Sequence, residues 1–304
     1  MEQVFNSIYQ EAIEKASFLQ SWPGHFLAKE IETEIITRYF DFKNVKNLAG
    51  LEVGCGNAFQ SALLANIFHK FVATDLFQEN KCSHTIGIHK AKRMIDLLSI
   101  KNIRLISCSA TTLPFTDNYF DFVFSSSVLE HIEERNLVLQ EIKRVLKPKG
   151  YLILILPTHM PSIYAFPHVF LYILGRTWKL LFDTDNKDSQ NNNRDSFNIS
   201  LMKRFKRNHP SFPLPEPHGA YSNIFKELYQ QFPARWMKLI NTSGFKIIKS
   251  FPVCLIPWLL IEPFSTRWAA HLYSFTKRFH FKFGNLKLLK YCGYLIGFIA
   301  VKNS

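Results

Sequence analysis

The 304-residue sequence has five cysteines, at 55, 82, 108, 254 and 292, and no Cys-x-x-Cys pair among them. That excludes a zinc ribbon or a disulfide framework as the organising device and points to a reducing compartment. Long hydrophobic runs are also missing. The apolar stretches at 162–174 and 251–261 are interrupted by Pro167 and by Pro252 and Pro257, and both fall short of the roughly 20 residues a membrane-spanning helix needs. Residues 1–25 carry Glu2, Glu11 and Glu14 and no long apolar core, which argues against a signal peptide. Charged residues make up only 20% against 47% apolar, which suits a globular chain rather than a disordered one. The length fits one large domain or two small ones.

Acidic residues are scarce in the second half, and none follows Glu262. Residues 1–150 hold 17 Lys/Arg and 17 Asp/Glu, whereas residues 151–304 hold 20 and 7, so the second half supplies the whole net charge of +13. A basic half points to an anionic partner, whether phospholipid, a phosphorylated substrate or nucleic acid, with a merely basic, solvated surface as the alternative.

What is present in the first half is an alternation of strands and helices. Ile8 and Ala12, then Ile31, Ile35 and Ile36, predict N-terminal helices separated by Trp22-Pro23-Gly24. Strands are expected at 48–53, 70–74, 103–107, 120–125 and 151–156, with helices at 61–68, 89–98 and 128–146 between them. Lys147-Pro148-Lys149-Gly150 is the expected stop of the last of these helices. Continuous apolar strands alternating with helices predict a parallel sheet covered on both faces. After Pro157 the rhythm breaks, and the polar stretch at 183–196 reads as a loop. Regular signals return as a helix at 234–240, a glycine cap at Gly244, and strands at 245–253 and 294–302.

Gly54-Cys55-Gly56 lies between the first strand and the following helix. Glycines there let the backbone turn tightly and approach a ligand closely. Asp75 closes the next strand, where a carboxylate can accept both hydroxyls of a ribose. A dinucleotide fingerprint requires Gly-x-Gly-x-x-Gly, but this turn ends in Phe59. Glu52 before the turn suits a cationic ligand better than a pyrophosphate.

The runs LEVGCGNAF, FVATDL, SCSATTLPFTDNYFDFVFSSSVLEHI and VLKPKGYLILILPT occur in order over residues 48–157. Together they resemble class I S-adenosylmethionine-dependent methyltransferases, in particular the group similar to the ubiquinone/menaquinone-biosynthesis enzymes. The resemblance implies an α/β, Rossmann-like seven-stranded sheet with helices on both faces and its last strand antiparallel. It implies S-adenosylmethionine as cofactor and no metal. Glu52, Gly54, Cys55 and Gly56 would line the methionine end, Asp75 would hold the ribose, and Leu76 would pack on adenine. Ser109 and Ala110 would border the adenine, and Phe124, Ser125 and Ser126 would lie near the sulfonium. Ala58 stands where a third glycine is common, and Ser109 where the group commonly has Asp.

Methyl transfer from a sulfonium relies on proximity and alignment; only a hydroxyl-like acceptor needs a base. His131 is the candidate catalytic base, with His25, His159 and His218 as further candidates, and Glu130 is assigned to helix-start electrostatics. The expected organisation is N-terminal helices at 1–45, the cofactor-binding core at 46–157, an insertion or lid at 158–232, and completion of the sheet at 233–304. A basic, aromatic insertion at 255–291 interrupts that last part, and its composition suits a membrane interface. The expected partner is a small or lipid-linked acceptor, met in the cytoplasm at the anionic inner face of a membrane. The alternative is an RNA-binding methyltransferase or a nucleic-acid-binding protein using Lys203-Arg204-Phe205-Lys206-Arg207 and the basic tail.

Overall fold

The computed structural model describes residues 7–8, 10–12, 14, 23–41, 48–77, 88–160, 162–163, 217, 219–253, 275, 278–284, 286, 291 and 293–303. Most of the expected lid at 158–232, most of the insertion at 255–291, and the basic motif at 203–207 lie outside the described residues.

Helix α1 (Pro23–Tyr39) leads into β1 (Ala49–Val53), α2 (Phe59–Ala65), β2 (Lys70–Asp75), α3 (Ile88–Leu97) and β3 (Ile103–Ser107). After β4 (Phe120–Ser126) come a 3-10 turn (Leu129–His131), α4 (Arg135–Val145) and β5 (Leu146–Pro157). Helices α5 (Ile224–Gln230) and α6 (Pro233–Thr242) precede β6 (Phe245–Val253) and β7 (Leu295–Lys302). The seven strands form one sheet in the order β3-β2-β1-β4-β5-β7-β6. Neighbours from β3 to β5 pair in parallel, whereas β7 runs antiparallel to both β5 and β6. This is the expected seven-stranded arrangement, with its last strand antiparallel.

Alternate residues along the strands feed two cores. Phe122, Phe124, Ile153 and Ile155 pack with Ile35 of α1, Phe59 and Leu63 of α2 and Met94 of α3. Val123, Leu152, Leu154 and Leu156 pack on the other face with Leu139 and Ile142 of α4 and Trp236 of α6. The side-chain period of two in a strand builds both layers. The parallel strands read as unbroken apolar runs for the same reason.

Three local expectations are corrected. The helix expected at 128–146 is split: Ile132 is extended, and α4 begins at Arg135. Arg135 causes the break, its Nε donating to the carbonyls of Leu129 at 2.9 Å and Ile132 at 3.1 Å. Those carbonyls are thereby satisfied outside a helical ladder. Strand β5 also starts earlier than expected, because Leu146 pairs with Phe120 before a register shift and Lys147 Nζ donates to Asp121 at 2.7 Å. Finally, α5 falls in a stretch read as irregular, where the Asn223 side chain caps it by accepting from the N–H of Lys226 at 2.8 Å.

Candidate cofactor site

The site lies at the carboxyl ends of β1, β2 and β4, next to one another in the sheet, where open parallel sheets bind ligands. The turn after β1 is pinned to β2: the N–H groups of Gly54 and Cys55 both donate to the carbonyl of Thr74, at 2.8 and 2.9 Å. Gly54 and Gly56 both have positive φ, +78° and +56°. A Cβ on Gly54 would collide with Val128, whereas one on Gly56 would meet nothing within 4 Å. The first glycine therefore serves packing, and the second borders open space. Ala58 is left-handed as well, at φ 58°.

Asp75 sets the other side of the mouth. Its Oδ2 accepts from the Gly56 N–H at 2.6 Å and its Oδ1 from the Leu76 N–H at 2.7 Å. Each oxygen keeps acceptor capacity for a hydroxyl. Burial raises the Asp75 pKa, and the two N–H donors oppose that rise. Leu76 and Phe77 are exposed beside it, with the Phe77 ring edge-on to His89 at 4.8 Å. Phe77 was not singled out in the sequence, and two consecutive apolar residues after the strand were the only signal. On the loop after β3, Ser109 Oγ pairs with Thr111 Oγ1 at 2.7 Å, and Ala110 packs against the second core.

Glu52 is buried, and its Oε2 accepts from Ser61 Oγ. Burial pushes its pKa up to about 8, opposed by Ser61 and by Lys29. Lys29 of α1 donates to Glu32 at 2.8 Å and to Ser126 at 3.1 Å, and Ser126 Oγ donates to Glu32 at 3.2 Å. Helix α1 thus closes over the end of β4. Cys55 and Phe124, both expected at the pocket, are core residues with buried side chains, so they shape the mouth through their backbone. Ser125 is buried too, donating to the carbonyl of Val53 at 2.8 Å and tying β4 to β1.

His131 is exposed in the 3-10 turn, its Nε2 3.9 Å from Glu130 Oε1. Glu130, assigned to a helix start, instead precedes α4 and is 1% exposed. Burial pushes its pKa up to about 7, with its own backbone N–H, Lys29 and Arg135 opposing the rise. His159 stacks on Phe232 at 4.1 Å, and burial lowers its pKa. The side chain of His25 and the whole of His218 lie outside the described residues. Among the described residues no cluster of metal-ligating side chains occurs.

Open space at Gly56, a ribose-competent carboxylate at Asp75 and buried acidity at Glu52 fit a nucleoside that carries positive charge. The buried Asn57 adds an Nδ2 without a hydrogen-bond partner at the same turn. The strand order with β7 antiparallel is the seven-stranded, Rossmann-like fold that the resemblance to class I S-adenosylmethionine-dependent methyltransferases implied.

Comparison with known proteins agrees. Residues 51–154 match the family model described as a methyltransferase domain. Demethylmenaquinone methyltransferases of Bacillus cereus and Bacillus anthracis are 35% identical over 119 residues, or 38% of this chain and 47% of theirs. The chain thus spans about half the length of these relatives. Among solved structures, one is from the complex between the Haloferax volcanii Trm112 methyltransferase activator and a methyltransferase, at TM-score 0.53 and 10% identity. It covers 98% of both chains. A second is the cyclase SpnF, at TM-score 0.50 and 14% identity, covering 89% of this chain and 79% of that one. These likenesses concern the fold, and the cyclase shows that function must be argued from the site.

Proposed function

We propose that this protein is a methyltransferase that moves a methyl group from S-adenosylmethionine to a lipophilic, hydroxylated acceptor at an anionic membrane surface. The observation that carries the reading is the mouth formed by Gly56 and Asp75, with a carboxylate anchored by two backbone N–H groups beside open space. When bound, S-adenosylmethionine supplies a methyl group on a positively charged sulfur.

Asp75 would accept the ribose hydroxyls, and the exposed Leu76 and Phe77 would flank the adenine, with Ser109 and Ala110 at its border. At the methionine end stands the buried Glu52 carboxyl, whose ionised form a neighbouring cation would favour against the cost of burial. Lys29, beside Ser126, is the cation suited to a carboxylate there. Ser125 ties β4 to β1 and Ser126 holds β4 to α1, so the strand end that faces the acceptor side is fixed in position.

Two features support the choice of acceptor. The similar Bacillus proteins are named for demethylmenaquinone. The second half of the chain carries the basic excess, and helical residues 278–283 set the exposed Arg278 and Lys282 beside the ring pair Phe279 and Phe283, 4.8 Å apart. Phe275, one turn earlier, is also exposed. Aromatics beside cations suit a lipid interface. No helix among the described residues is long and apolar enough to cross a membrane.

Calorimetry with S-adenosylmethionine tests the proposal. Wild type should bind, and Asp75→Ala should bind at least tenfold more weakly. Equal binding by the two removes the ribose assignment, and no binding by wild type removes the function.

A further inference from the structure

Glu130 holds a carboxylate that the fold leaves incomplete. Its side chain is 1% exposed, and its Oε2 is buried without a hydrogen-bond partner. The carboxylate accepts from its own backbone N–H, and Oε1 stands 3.9 Å from His131 Nε2, too far for a hydrogen bond there. Leaving such a group unsatisfied costs about 1–3 kcal/mol, more when it is charged. A buried polar group without a partner therefore calls for a reason in function or an undescribed ligand.

Its place supplies the reason. Val128 of the same turn packs on Gly54, so this turn forms a wall of the cofactor mouth. On the opposite side the Ala220 N–H donates to the Glu130 carbonyl at 2.8 Å, as does Arg135 Nη2 at 3.4 Å. Glu130 thus lies between the cofactor turn and the segment at 219–221, four residues beyond the end of β4. The charged and titratable groups around it are Lys29 and Glu32 from α1, Arg135 from α4, His131 in its own turn, and Tyr221 ahead of α5. Lys29 links this carboxylate electrostatically to Glu52 in the cofactor site.

We propose that Glu130 is a catalytic base, its Oε2 taking the proton that a hydroxylated acceptor loses as it is methylated; this rests on the methyltransferase reading above. The acceptor's O–H bond breaks toward Oε2, leaving a pair that attacks from oxygen or, through the ring, from the adjacent carbon; in the second case the ring C–H proton returns to the oxygen as the ring regains aromaticity. The electron pair left on the acceptor forms the new bond to the methyl carbon, and the sulfur keeps the pair of the bond that breaks. The sulfonium charge disappears and one proton appears on the protein, so charge balances. A base held near pH 7 in a buried site is matched to this task.

The test uses the whole chain and two substitutions, Glu130→Gln and Glu130→Asp. Calorimetry first measures S-adenosylmethionine on wild type and both variants, with thermal unfolding as the check on folding. Binding of naphthol, a phenolic probe, is then followed with the demethylated cofactor present, across the pH range around 7. Turnover of a short-chain demethylmenaquinol is measured in parallel. We expect unchanged cofactor affinity in all three proteins. Naphthol should bind wild type more tightly as pH rises through about 7, and Glu130→Gln at least tenfold more weakly with no such pH dependence. Turnover by Glu130→Gln should fall by about a hundredfold or more, the range of a lost general base. Glu130→Asp should keep the pH dependence with weaker binding. Wild type that binds no cofactor overturns the methyltransferase reading itself. Wild type that binds cofactor overturns only the inference if it ignores naphthol, or if Glu130→Gln matches it in naphthol binding or turnover. A Glu130→Gln chain that does not fold leaves the decision to Glu130→Asp, where loss of the pH dependence overturns the inference.

Discussion

Replacing the two glycines of the cofactor turn with alanine separates packing from ligand space. Both have positive φ, which costs an L-residue about 1–2 kcal/mol. At Gly54 the new methyl also collides with Val128, and overpacking of that kind adds about 1–3 kcal/mol. Gly54→Ala should therefore lose about 2–5 kcal/mol of stability by the sum of those two effects. Gly56→Ala meets no neighbour within 4 Å, so the backbone strain is its only stability cost. At about 2–4 °C per kcal/mol for large domains, the Gly54 variant should melt several degrees below the Gly56 variant. The order reverses for binding. The Gly56 methyl projects into the open mouth while its N–H still donates to Asp75, so only the ligand's space changes. Calorimetry should show S-adenosylmethionine weakened by about tenfold or more, which is about 1.4 kcal/mol. Thermal unfolding and calorimetry on the same samples decide the matter. Gly56→Ala binding like wild type, or Gly54→Ala melting with Gly56→Ala, would refute the division of labour.

Two further outcomes are expected. Glu52 has a folded pKa of about 8 against 4.5 unfolded, so its contribution to stability is whole below 4.5 and is lost as pH climbs through 8. The melting temperature should accordingly fall over that window in wild type and fall less in Glu52→Gln; matching slopes would show that Glu52 does not titrate there. Co-sedimentation with vesicles should require anionic lipid and weaken with salt. Equal binding to neutral vesicles would remove the electrostatic part of the membrane proposal.

The cofactor turn, the strand ends and the sheet were legible in the sequence because each rests on short-range chemistry. Gly54 and Gly56 mark a backbone that must turn left-handed, Asp75 ends a strand, and Gly244 adopts φ +85° just after α6, as its position implied. Other positions were decided by contacts distant in the chain. Cys55 and Phe124 sit in motif runs that point toward a ligand, yet their side chains fill the core on the α1–α3 face. The break at Ile132 depends on a guanidinium satisfying two carbonyls, which a pattern of apolar residues cannot report. Lys149, not the neighbouring Gly150, takes the left-handed angle inside β5, in the irregular stretch between the Phe120–Leu146 and Phe122–Tyr151 pairs.

The sequence by itself determined the parallel core and the glycine turn that faces the carboxylate ending β2, since strand alternation, glycine turns and a terminal carboxylate are local properties. Only the tertiary structure decided that Glu130 is a buried acid and not a helix-start charge. Its ionisation depends on desolvation and on Lys29, Glu32 and Arg135, and Lys29 and Glu32 lie about a hundred residues away in sequence.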